Sequence, residues 1–97
     1  MLKAKIEKAL NKQVELEASS SQFYLSMASW TESQGLTGTS TFLYHHSEEE
    51  RGHMLKLVKF INERGGKPII PALVKPPETF NSIKSVFESL LEHELNV

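Results

Sequence analysis

The sequence predicts an all-α protein, and three observations carry that expectation. Apolar residues recur at alternating steps of three and four along two long stretches, one closing near Gln34 and one at Arg64. All twelve acidic residues are Glu, with no Asp, in a chain rich in helix formers. All four prolines are confined to residues 67–79, so nothing breaks the periodic stretches from within.

The first helix is expected from about Leu2 to Gln34. It carries two adjacent stripes, one of Leu10, Val14, Glu17, Ser21, Tyr24 and Ala28, the other of Leu16, Ser20, Phe23, Met27 and Trp30. Together they make a wide buried face. Gly35 is a natural helix stop and Gly38 marks the turn. The second helix is expected from about Thr39 to Arg64, capped by Thr39 or Ser40 and ended by Gly65-Gly66. Its stripe reads Leu43, His46, Glu50, His53, Leu57, Phe60, all on one face. Residues 65–80 form an extended crossover, longer than a link between adjacent helices needs. A long crossover sets the third helix parallel to the second, and Ile69, Ile70, Leu73 and Val74 are expected to lie across an apolar surface. The third helix is expected over about 81–97, opening at Asn81 or Ser82, with the stripe Phe80, Ile83, Phe87, Leu90, Glu94, Val97.

Composition narrows the function. At 97 residues the chain is one domain at most. A net charge of −1 with acid and base interleaved points neither to nucleic acid nor to an anionic membrane. The absence of Cys excludes a disulfide framework and a thiolate metal site. No signal peptide and no transmembrane run of about 18 apolar residues is visible, so a cytoplasmic location is expected.

The chemistry lies in the stripes. Glu17, Glu50 and Glu94 each occupy an apolar stripe on a separate helix, and His53 joins Glu50 on the second. An ionised carboxylate in an apolar interior is costly without a partner charge. In an antiparallel hairpin Glu17 lies roughly 25 Å from the turn, and Glu50 and His53 roughly 17 and 21 Å, at 1.5 Å per residue. The levels agree to about one helical turn. Carboxylates with one imidazole per metal suit iron or manganese. Glu50, central among Glu17, His53 and Glu94, is the candidate bridge between two ions. Tyr24, two turns beyond Glu17, is placed to hydrogen-bond a ligand or to lend an electron.

Glu17, Tyr24, the run Glu48-Glu49-Glu50, His53 and His93-Glu94 together resemble bacterial non-haem ferritin, and the resemblance covers the whole chain. It implies a ferritin-like four-helix bundle, of which this chain holds the first two helices and part of the third. It implies that Glu17 and His53 ligate a first iron, that Glu50 bridges, that Glu94 ligates a second and that Glu49 belongs to a nearby third site. The implied activity is ferroxidase: Fe(II) is oxidised by dioxygen at a di-iron centre and stored as mineral in a hollow 24-subunit shell. Haem is not expected, because Arg51 follows the bridging glutamate where bacterioferritins place a haem-ligating Met. The lack of Cys argues against a rubrerythrin-like peroxidase.

Such a subunit needs a fourth helix, so the apolar faces here require another cover. Two chains could associate, each giving its first two helices to a shared bundle with two copies of Glu17, Glu50 and His53. Alternatively the chain is a ferritin fragment, in which Ser89 to Val97 should fray. A helical oligomerisation module, with Glu and His pairing across an interface, is the reading without chemistry.

Overall fold

The computed structural model describes residues 2–96, with side chains through Glu94. Val97, the last position of the expected third stripe, lies outside the described residues. Three helices are present among them: α1 (Ala4–Ser33), α2 (Thr37–Glu63) and α3 (Ile83–Asn96). The described residues contain no strand, and the molecule is a rod of 49 × 20 × 19 Å. α1 and α2 form an antiparallel hairpin. Ser20 meets His93 and Trp30 meets Phe80, so α3 runs antiparallel to α1 and therefore parallel to α2. The long crossover is what permits that direction.

The two long helices end in the same way. Gly35 takes φ +77°, the Gly35 N–H donates to the Glu32 carbonyl at 3.0 Å, and the Leu36 N–H donates to the Thr31 carbonyl at 3.0 Å. Gly65 repeats the pattern with φ +77° and bonds from Gly65 to Asn62 and from Gly66 to Ile61. Both are Schellman turns, in which glycine takes the left-handed position and terminal carbonyls find donors. The expected turn at Gly38 and cap at Thr39 or Ser40 are corrected. Because the first Schellman turn is complete at Leu36, the Leu36 carbonyl at once accepts from the Ser40 N–H at 2.9 Å, and α2 starts at Thr37. Gly38 is then helical, and the Ser40 hydroxyl bonds back to the Thr37 carbonyl at 3.0 Å. At the start of α3, Ser82 and Ser85 exchange side-chain bonds to each other's N–H at 3.1 and 3.3 Å, a reciprocal cap.

The main core is at the hairpin end: Tyr24, Met27, Ala28, Leu43 and Val86 are buried, with Phe23, Trp30, Tyr44, Phe80 and Leu90 packed around them. Val14 and Ile61 are buried farther along. In α3 the buried residue is Val86, not the expected Ile83 and Phe87, which are exposed. Val86, Leu90 and His93 lie at steps of four and three and turn toward α1, which rotates the expected stripe to the edge. The crossover is corrected in part: Leu73 is half-buried beside Ala18 and Met54, as expected, but its neighbours are not. Ile69, Ile70 and Val74 point outward. The segment is held instead by polar bonds: the Lys67 N–H donates to Glu7 at 2.7 Å, the Ile69 N–H to Asn11 Oδ1 at 2.8 Å, and Asn11 Nδ2 to the Lys67 carbonyl at 3.0 Å. Ser26 donates to the Pro77 carbonyl farther on.

Candidate metal centre

Small side chains bring α1 and α2 close at the level of the site. The Ser21 hydroxyl donates to the Ser47 carbonyl at 2.9 Å, and the Ser47 hydroxyl donates to the Ser21 carbonyl at 2.7 Å. Glu17 is one turn below Ser21 on α1, and Glu50 one turn beyond Ser47 on α2. The serine pair therefore sets the helix separation that brings the two carboxylates together.

Two clusters result, each with ligand atoms within 4.8 Å of one another: Glu17 with Glu50 and His53, and His46 with Glu50 and Glu94. Glu50 belongs to both. Its Oε2 is 3.9 Å from His53 Nδ1, and its Oε1 is 3.8 Å from His46 Nε2. In the first cluster Glu17 Oε2 is 3.5 Å from His53 Nδ1. Glu17 Oε1 accepts from Gln13 Nε2 at 2.9 Å, while Oε2 is buried with no hydrogen bond. A buried carboxylate oxygen without a donor is costly unless a cation or a shared proton faces it. In the second cluster His46 Nε2 is 3.1 Å from Glu94 Oε1, which also accepts from the Tyr24 hydroxyl. The Tyr24 ring is buried and meets His46 edge-on at 4.4 Å between centroids.

The electrostatics reflect the crowding. Burial, then the hydrogen bond and charge of Glu17, then the charge of Glu49, push Glu50 up to about 7. Burial also acts to raise Glu17, but hydrogen bonds from Glu50 and Gln13 and the nearness of His53 outweigh it and hold Glu17 below its usual range. The two carboxylates thus oppose each other's ionisation, a conflict that a cation between them would relieve.

The expectation of a dry interior holds for part of the set only. Glu17 and Glu50 are 12% and 15% exposed, whereas His53 and Glu94 are 54% and 48% exposed. Glu94 is not in one cluster with Glu17 and His53, and it reaches them only through Glu50. Glu49 stands outside both clusters, 3.3 Å from the exposed His45. His46 is on the expected stripe of the second helix but outside the expected ligand set, and the structure brings it to Glu50 and Glu94. Its signal was available, since it lies one turn before Glu50 on the same stripe. His93 turns away from the clusters to Ser20 at 2.6 Å, with burial holding its pKa down.

Comparison with known proteins gives a consistent picture. Residues 7–97 match the family model described as a ferritin-like domain. A probable bacterial non-heme ferritin-like protein of Haemophilus influenzae is 43% identical over 94 residues, covering 97% of this chain and 57% of that protein. A bacterial non-heme ferritin of Campylobacter jejuni is 36% identical over 94 residues, covering 97% of this chain and 56% of its own. The open pore ferritin of the archaeon Archaeoglobus fulgidus superposes with a TM-score of 0.93 at 38% identity, covering 99% of this chain and 59% of that one. A Chlorobium tepidum ferritin superposes at 0.91 with 40% identity and the same coverage. The chain thus spans somewhat more than half the length of the relatives it matches.

Proposed function

This chain belongs to the ferritin family, and on that premise we propose that it takes part in iron storage by binding Fe(II) at Glu17, Glu50, His53 and Glu94 and promoting its oxidation by dioxygen. The observation that carries the reading is the position of Glu50, whose two oxygens face different clusters. A bridging carboxylate of that kind holds two cations close together, which suits a two-electron reaction. Each of two Fe(II) ions gives up one electron, and dioxygen takes up both with two protons.

The chain's own groups support each requirement. Glu17 Oε2 is a buried oxygen without a hydrogen-bond donor, and a cation would supply the partner it lacks. His53 is half exposed, which leaves a route for Fe(II) to reach the site. Tyr24 is a buried hydroxyl that donates to Glu94, placed to hold that carboxylate in position. Glu49, exposed and outside both clusters, is assigned to a third iron site near them. No haem site is proposed.

A homo-oligomer follows from the same reading. Phe42, Phe60, Phe87 and Leu91 are 52%, 38%, 45% and 62% exposed, more apolar surface than a lone domain usually leaves in water. Storage of the ferric product as mineral requires a closed shell, and the cage is part of the proposal. The sharing of first and second helices between two chains is less well supported, because α3 already supplies Glu94 beside α1 and α2 and would have to leave.

Anaerobic Fe(II) titration followed by admission of air tests the activity. The expected result is saturable binding and then rapid formation of ferric product, with His53→Ala slowing oxidation about 100-fold while helicity is retained. Oxidation no faster in the wild-type chain than in buffer, or unchanged by His53→Ala, contradicts it. An interaction module without metal chemistry would give neither binding nor oxidation.

A further inference from the structure

Away from the two clusters, the last turn of α3 is tied to α1 by a polar contact of its own. The hydroxyl of Ser20, a residue 1% exposed, lies 2.6 Å from His93 Nε2. The His93 ring rests against Phe23, with centroids 5.1 Å apart, and meets Tyr24 edge-on at 5.6 Å. His93 also lines an open cavity of about 370 Å³ together with Phe23, Pro77, Ser89 and Glu92. Packing alone therefore leaves the imidazole room to swing, and the bond to Ser20 decides where it sits.

The next residue is Glu94, whose Oε1 accepts from the Tyr24 hydroxyl and faces His46 Nε2 at 3.1 Å. Adjacent residues leave a helix about 100° apart. One tether would let the last turn of α3 roll about it, whereas two at that angle fix the roll. Ser20 and Tyr24 stand one turn apart on α1, roughly 6 Å along its axis, so the two tethers also fix the height. We propose that His93, held by Ser20, is a positioning residue that sets the direction in which Glu94 reaches toward Glu50. It ligates nothing itself. The proposal rests on the reading of Glu94 as an iron ligand and adds a residue outside the ligand set. Groups that orient a ligand from behind contribute about 10- to 100-fold to metal affinity.

The test is anaerobic calorimetric titration of the metal-free chain with Fe(II). His93→Phe keeps a ring against Phe23 and Tyr24 but loses the bond; His93→Gln keeps a group that can bond to Ser20 but loses the ring. Positioning through the bond predicts that His93→Phe weakens Fe(II) binding about 10-fold and that His93→Gln stays close to wild type. Ser20→Ala should match His93→Phe, and as the smaller cut it serves where the phenyl ring unfolds the chain. In a Glu94→Ala background, adding His93→Phe or Ser20→Ala should weaken binding no further, because the effect passes through Glu94. Unchanged binding in His93→Phe and Ser20→Ala overturns the proposal and leaves the site standing. So does an equal loss that persists without Glu94, or a loss in His93→Gln as large as in His93→Phe, since both indicate packing alone. Wild-type binding that Glu94→Ala does not weaken removes Glu94 from the site and the role of His93 with it. No Fe(II) binding by the wild-type chain overturns the site itself.

Discussion

Two stretches of the α1–α2 hairpin differ in what covers them. Near the turn, α3 lies against α1, and Tyr24, Met27, Ala28 and Leu43 are no more than 1% exposed. Toward the far end no third helix accompanies the pair among the described residues, and Leu55 and Phe60 are 37% and 38% exposed. Both stretches have the same helical periodicity. The difference is one of cover, and the candidate metal centre lies at the border between them. Its less exposed carboxylates, Glu17 and Glu50, lie in the hairpin seam, and its other groups, His53 on α2 and Glu94 near the end of α3, are about half exposed. A site placed there is dry enough to perturb carboxylates and open enough to admit an ion.

The sharpest way to break this comparison is stability. Leu43→Ala should cost about 2–5 kcal/mol in urea unfolding, the usual range for a large side chain lost from a packed core. Phe60→Ala should cost about 1 kcal/mol or less, since much of its ring is already in water. Equal losses at the two positions would show that the far end is covered in solution, as an oligomer would cover it.

A smaller effect is expected at the seam. Ser47→Leu must force the helices apart where two serines now exchange bonds, costing about 1–3 kcal/mol. It should also weaken cation binding, because Glu17 and Glu50 would separate. Unchanged metal affinity in a folded Ser47→Leu chain would contradict the role given to the serine pair.

The smallest effect is a pH dependence. Glu50 is held up at about 7 against an ordinary 4.5, so its contribution to the stability of the metal-free chain is full below 4.5 and is lost as pH rises through about 7. Glu17, held down, contributes stability that is present above 4.5 and is lost at lower pH. Between pH 5 and 8 the depressed His93 acts in the opposite sense, so the Glu50 effect is read as a difference: in urea unfolding the metal-free chain should lose stability relative to Glu50→Gln as pH rises. Cation affinity should run the opposite way and rise across pH 7, as the proton leaves the pair. A difference between the two chains that does not change through this window would contradict the raised Glu50.

Much of this was legible in the sequence. The three helices and the convergence of Glu17, Glu50 and His53 follow from periodicity, because a helix fixes which side chains share a face. Both glycine stops were readable, since only glycine takes the left-handed position without strain. What was not legible depended on neighbours. The start of α2 at Thr37 follows from a completed Schellman turn, which leaves no room for the expected cap. The rotation of α3 onto Val86 follows from the direction in which the crossover delivers it. Ile69, Ile70 and Val74 suggested an apolar anchor, yet backbone groups bonding to Glu7 and Asn11 fix the segment. The contact of His46 with Glu94 was not legible because the two residues lie 48 positions apart and meet only where α3 brings Glu94 alongside.

The most direct test of the account is anomalous diffraction from crystals of this chain loaded anaerobically with Fe(II). Two peaks are expected, one beside each oxygen of Glu50, with Glu17 and His53 on one and Glu94 on the other. Iron absent from Glu50, or found only at exposed carboxylates away from the α1–α2 seam, would contradict it.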